Sequence, residues 1–175
     1  MGNKTDIMRK IRSALISLSD KSNLKPLLKE LRRNNIKIIS SGGTFKAIKK
    51  LKFKCLDVSD FTGFKEILNG RVKTLHPKIH AGILNKRNNR SHLRDIKKND
   101  FENIDLIIVN FYPFEKTIEQ TNSHNKIIEN IDIGGPTMVR AAAKNYNDVT
   151  VITSIDQFRT HKRIKKKQWL YHFKI

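Results

Sequence analysis

Residues 105–111 read DLIIVNF, a near-continuous apolar run of strand length. Runs of that kind belong inside parallel sheets, where helices cover both faces. The rest of the chain repeats the unit that such a sheet needs. SALISL at 13–18, IKII at 36–39, residues 54–58 and VTVIT at 149–153 are further strand candidates. Helical spacing fills the intervals: Leu24, Leu27, Leu28 and Leu31 line one face of a helix over 22–33 that Ser19-Asp20 can cap, and Phe45, Ile48 and Leu51 mark another after residue 44. Shorter helices are expected near 114–119 and over 136–145. Strands alternating with helices predict an α/β fold with an open, mostly parallel sheet, whose ligands lie beyond the carboxyl ends of the strands. His76-Pro77 reads as a stop for any helix there. Cys55 reads as a buried small apolar group inside a strand, and 86–100, charged and Asn-rich, as an exposed helix between loops.

At 175 residues the chain is one domain with enough length to bury a core. It carries 36 basic against 16 acidic residues, a formal charge of +20. Seven of the basic residues fall in 159–175, which holds no acid, so residues 1–158 keep +13. A body that basic favours anionic ligands such as phosphates. One cysteine excludes an intrachain disulfide and fits a reducing compartment. There is no apolar run of about 18 residues and no signal peptide with an apolar core, so a soluble, cytoplasmic chain with no membrane partner is expected. Beyond residue 156 the alternation stops, and 156–175 reads as a poorly ordered basic tail. Lysine runs are usually solvated, and the tail lacks the features of a nucleic-acid module, so no specific nucleic-acid partner is expected.

Three turns carry candidate chemistry. Ser40, Ser41, Gly42, Gly43 and Thr44 offer three hydroxyls and free backbone N–H groups at a helix start, which suits a phosphate. The same residues also suit an ordinary strand-to-helix turn, and they match neither the Walker loop nor the dinucleotide fingerprint. Arg71, Lys73 and Thr74 follow Gly70, either as a solvated loop or as a constrained cationic one. Asp132 stands just ahead of Gly134-Gly135-Pro136 and a helix N-terminus. Lys144 lies eight residues past Pro136, roughly 12 Å along a helix, so Asp132 and Lys144 can share only a ligand of nucleotide size. His76 and His80 are four apart without a third ligand nearby, so no metal is expected.

The segments SALISLSDK, SSGGT, DFTGF, GRVKTLHPKIHAGIL, DLIIVNFYPFE and ENIDIGGPTMVRAAAKN, in that order over about 11–155, resemble the N-terminal inosine monophosphate (IMP) cyclohydrolase half of the bifunctional purine biosynthesis proteins. The resemblance implies a methylglyoxal-synthase-like three-layer sandwich over 1–155. It implies closure of the purine ring of 5-formamidoimidazole-4-carboxamide ribotide (FAICAR) to IMP, without metal or cofactor, in a homodimer whose partner molecule is the purine nucleotide. It places Lys73, Tyr112, Asp132 and Lys144 in the catalytic group. Asp132 would deprotonate the carboxamide nitrogen, Lys73 and Lys144 would stabilise and protonate the departing formyl oxygen, and Tyr112 would add a hydrogen bond. Ser17, Lys21, Ser40, Ser41, Gly42, Gly43 and Thr44 match the phosphate-holding positions, and Arg71, Thr74, Asn110, Ile133, Gly134 and Gly135 the contacts to base and ribose. Ser41 replaces the usual threonine, while Ala81 and Phe111 replace glycine and leucine.

The tail does not resemble the formyl-transfer domain that follows in this family, so formyl transfer is not expected of this chain, and truncation or a frameshift would account for the lost register. Two other classes of reading stand beside the enzyme: an inactive nucleotide-binding remnant of a truncated bifunctional protein, and a basic nucleic-acid-associated protein. Methylglyoxal synthase chemistry fits less well, because GRVKTLHP and ENIDIGGPT are marks of the cyclohydrolases.

Overall fold

The computed structural model describes residues 10–154, so the expected basic tail lies outside the described residues. Five strands, β1 (Ser13–Leu18), β2 (Lys37–Ser40), β3 (Leu56–Asp57), β4 (Leu106–Asn110) and β5 (Thr150–Ile152), form one sheet in the order β3-β2-β1-β4-β5. Every pairing is parallel. The helices are α1 (Leu24–Arg33), α2 (Gly42–Lys50), α3 (Val58–Thr62), α4 (Pro77–Leu84), α5 (Arg90–Lys98), α6 (Phe114–Gln120), α7 (His124–Glu129) and α8 (Gly134–Lys144).

Successive side chains of a strand face opposite ways, and the inner strands divide their residues between two cores. Ala14, Ile16, Leu106 and Ile108 pack with Leu27, Leu28 and Leu31 of α1 and Ile48 of α2. Leu15, Ile107 and Val109 pack with Phe61 of α3, Ile79 and Ile83 of α4, and Met138 and Ala142 of α8. The result is helices, sheet, helices: three layers, with β4 apolar from Leu106 to Val109 because both of its faces are covered there. Full burial of each such Leu or Ile stabilises by about 1.5–3 kcal/mol.

The chain builds outward from β1 through β2 to β3, then returns to place β4 on the other side of β1. Leu18 pairs with Asn110 at the carboxyl ends of these two strands. This reversal point is where an open parallel sheet leaves a crevice.

Several local expectations change. β3 is two residues long, and Val58 already begins α3, capped by Asp57, whose Oδ1 accepts the Ser59 N–H at 2.8 Å. Cys55 therefore precedes the strand and is half-buried. Burial pushes its thiol up to about 12, which leaves it protonated and unreactive near neutral pH. His76-Pro77 starts a helix instead of only ending one. Pro77 sits at the first position of α4, where its missing N–H costs nothing, and His76 Nδ1 accepts the Lys78 N–H at 3.1 Å. Asp20 caps a turn ahead of α1, not the helix, which begins at Leu24. The helix α7 was not expected; none of its residues is buried, so it leaves no apolar period to read.

The charged stretch 86–100 does form an exposed helix, α5, yet Arg87 just before it is buried, with its side chain 6% exposed. Its NH2 donates to the carbonyls of Gly82 (3.1 Å) and Ile104 (3.0 Å) and lies 3.5 Å from Asp105 Oδ1. Asp105 also accepts the Arg12 N–H at 2.9 Å. A buried cation is tolerated when its donors are used in this way, and here it closes the end of the sheet opposite the crevice. No helix among the described residues is long and apolar enough to cross a membrane.

Candidate functional site

A cleft of about 520 Å³ opens over the carboxyl ends of β1, β2 and β4. Its floor is the end of β1 with the loop behind it, including Ser17, Leu18, Ser19 and Lys21. One wall is the start of α2, Ser41 to Thr44. Gly42, the first residue of that helix, has φ +54°, and Ser41 precedes it with no side-chain cap bond. The backbone N–H groups of this first turn have no intrahelical acceptor, and Gly42, Gly43 and Thr44, which carry them, line the cleft.

The second wall is a small hairpin. Ile67 and Val72 pair as an isolated antiparallel bridge, and between them Leu68, Asn69 and Gly70 all take left-handed φ values of 54°, 55° and 86°. Lys73 leaves this hairpin and runs close to two glycines. A Cβ on Gly70 would lie 2.8 Å from its Nζ, and a Cβ on Gly42 would lie 3.1 Å from it. The ammonium also pairs with Glu66 at 3.4 Å. A Cβ on Gly43 would lie 3.9 Å from Lys21 Nζ, so two ammonium groups converge on the start of α2. Lys21 Nζ meanwhile donates to the Ser19 carbonyl at 3.0 Å.

The third wall begins α8. Asp132 Oδ1 accepts the Gly135 N–H at 2.8 Å, which aims a carboxylate along the helix start where anions are favoured. Gly135 permits this contact, since a Cβ there would lie 2.5 Å from Asp132 Oδ2. Gly134 likewise lets the buried Thr74 hydroxyl approach, at 2.6 Å from its would-be Cβ. Tyr112 and Ile133, about half exposed, stand at the rim. Arg71 pairs with Glu129 through a bidentate contact, Nε to Oε2 at 3.3 Å and NH2 to Oε1. The guanidinium holds the Glu129 carboxyl below its usual range, and the carboxylate in turn raises Arg71.

The cleft thus brings together Ser17, Lys21, Ser41, Gly42, Gly43, Thr44, Arg71, Lys73, Thr74, Asn110, Tyr112, Asp132, Ile133, Gly134 and Gly135. Ser40 and Lys144 are placed elsewhere. Ser40 is fully buried, and its Oγ donates to the Ile16 carbonyl at 2.8 Å. Lys144 ends α8, exposed and outside the cleft wall. Two lining residues spend their polar groups on the scaffold. Thr44 Oγ1 accepts from and donates to the backbone of Leu18 at 2.9 and 3.0 Å. Asn110 Oδ1 accepts the N–H groups of Ser19 (2.6 Å) and Asp20 (3.1 Å), while its Nδ2 donates to the Asp20 carbonyl (2.8 Å). Glu66 and Glu129 were not singled out from the sequence; the only signal for Glu129 was its place three residues ahead of Asp132. No group of three or more His, Cys, Asp or Glu side chains gathers as a metal site among the described residues.

A five-stranded parallel sheet with a cleft at its reversal point, lined by Lys21, Arg71 and Lys73, defines an open α/β domain of the kind that holds its ligands beyond the carboxyl ends of the strands. More particularly, the chain belongs to the MGS-like domain family, which matches residues 23–137. It is 52% identical over 155 residues to the bifunctional purine biosynthesis protein PurH of Prochlorococcus marinus (strain MIT 9301), covering 88% of this chain and 30% of that protein. The PurH of Acetivibrio thermocellus is 48% identical over 165 residues, covering 90% of this chain and 32% of that protein. The chain therefore spans about 30% of the length of these curated relatives. Among solved structures, the crystal structure of ForH superposes with a TM-score of 0.74 at 29% identity, covering 86% of this chain and 77% of that one.

Proposed function

We propose that residues 1–155 form an IMP cyclohydrolase domain that closes FAICAR to IMP. The observation that carries this reading is Asp132, a carboxylate pinned by the Gly135 N–H on one wall of a nucleotide-sized cleft that Lys73 also lines. The similarity to the purine biosynthesis proteins supplies the substrate class.

In this reading the nucleotide phosphate sits at the start of α2, against the Gly42 and Gly43 backbone, Ser41 and Lys21. Anchoring the remote phosphate fixes the reacting end, so binding energy there lowers the barrier elsewhere. Asp132 takes a proton from the carboxamide nitrogen as that nitrogen attacks the formyl carbon. The new C–N bond produces a tetrahedral centre whose oxygen bears developing negative charge, which the Lys73 ammonium and the Tyr112 hydroxyl stabilise. The oxygen takes up two protons, the one that Asp132 removed from the carboxamide nitrogen and the one that the former formamide nitrogen gives up, so the C–O bond breaks and water leaves as the ring C=N forms. No electron is exchanged with a second reagent, so the balance closes with acid and base alone.

A second reading, a nucleotide binder that does not turn over, is favoured by Lys144, which the resemblance assigns to catalysis but which lies outside the cleft wall. Purified chain with FAICAR, followed by ultraviolet absorbance, separates the two. The cyclohydrolase reading expects turnover that Asp132→Asn lowers by about a hundredfold or more, with IMP binding held within about tenfold. Binding of IMP without any ring closure would select the binder, and full activity in Asp132→Asn would remove that residue as the base.

A further inference from the structure

Arg71 and Glu129 both line the cleft but come from different parts of the chain, the 67–72 hairpin and the last residue of α7. The two are joined along one edge of the guanidinium, Nε and NH2. A guanidinium is planar with five N–H donors, so a carboxylate on the Nε–NH2 edge leaves both donors of NH1 and one of NH2 for another acceptor. We propose that Glu129 is a positioning residue for Arg71: it fixes the guanidinium across the cleft with the NH1 side left to bind the nucleotide, and so sets nucleotide affinity without touching the reacting atoms. This inference rests on the cyclohydrolase reading of the same cleft.

Two features argue that the contact serves the site and not the fold. Glu129 is 57% exposed at the side chain and contributes nothing to either apolar core. It also stands at the carboxyl end of its helix, where a negative charge is disfavoured by the helix dipole. A carboxylate there costs the helix stability, so what the position supplies is its contact with Arg71. The hairpin that carries Arg71 holds Leu68 and Asn69 in left-handed conformations that cost energy for residues with a Cβ. Such a loop benefits from a tether outside itself.

An exposed ion pair is weak, so the predicted effect is modest and must be separated from a general loss of order. A double-mutant cycle does this with the full chain, using IMP binding by calorimetry and ring closure of FAICAR. Glu129→Gln keeps the shape and removes the charge. It is expected to raise the IMP Kd and the KM for FAICAR by about three- to fivefold with kcat within about twofold. In an Arg71→Ala background the same change should have no further effect, and Glu129→Asp should recover part of the loss. Equal losses in both backgrounds, or unchanged affinity in Glu129→Gln, overturn the positioning role. Wild-type chain that binds IMP but closes no ring removes the enzyme reading while the binding cycle still decides this one; wild-type chain that does neither overturns both.

Discussion

A methyl group on Gly70 would lie 2.5 Å from Lys73 Cε, at a backbone φ of +86° that side chains resist. Glycine here is therefore a condition for where the Lys73 ammonium can stand, and Gly42 plays the same part from the other side, at 3.1 Å from Nζ. Both glycines read as turn residues in the sequence; in the fold they form a passage for a cation. Gly70→Ala is expected to displace Lys73, strain the hairpin, and lower kcat/KM for ring closure by about tenfold or more, since misplacement of a catalytic group by about 1 Å can cost up to a hundredfold. Adding Lys73→Ala to that variant should then change little. An unaltered kcat/KM in Gly70→Ala would mean that Lys73 finds its place without the passage.

At the scale of the element, α4 shows how closely a helix can approach its neighbour. A Cβ on Gly82 would lie 2.6 Å from the Glu102 carbonyl oxygen and 3.2 Å from Ile104 Cγ1. The Gly82 carbonyl accepts from both Ile104 N (3.0 Å) and Arg87 NH2 (3.1 Å), so the neighbouring backbone is tied in place. Alanine would gain about 1 kcal/mol of helix propensity, but overpacking against backbone that cannot yield costs about 1–3 kcal/mol. Gly82→Ala should therefore destabilise, seen as a lower urea midpoint at unchanged slope; a raised midpoint would show that α4 shifts to make room. The same element marks the limit of sequence reading. The apolar runs of β1, β2, β4 and β5 were legible to within a residue or two because burial on both faces writes itself into composition. α4 was not, because Pro77 was taken only as a break, and α7 was not, because it buries nothing. In the site, Asp132 and Gly135 were legible because their contact is local. Asn110 and Ser40 had fates set by partners 91 and 24 residues away, Ser19 and Ile16, which no local pattern contains.

For the whole molecule, two half-buried groups bound the pH range of stability from opposite sides. His80 lies on α4, and burial lowers its pKa from the ordinary 6.5, opposed by the hydrogen bond that its ring donates to the Thr74 backbone. The folded chain thus binds fewer protons at this site than the unfolded chain once pH falls to about 6.5, so stability falls as pH drops from there through the lowered value. Cys55 gives the reverse. Its thiol is raised from 9.0 to about 12, so above pH 9.0 the unfolded chain loses a proton that the folded chain keeps, and stability declines again. The carboxyls with lowered values, Asp20 and Glu129, act only below their ordinary 3.8 and 4.5. Acidification also adds charge to a chain already at +20, which destabilises by self-repulsion, so the histidine must be separated from the net field. The urea midpoint of the full chain should be lower at pH 5.5 than at pH 7.5, and His80→Gln should reduce that difference because glutamine does not titrate. If His80→Gln leaves the difference intact, the acid sensitivity belongs to the overall charge and not to the half-buried imidazole behind the cleft.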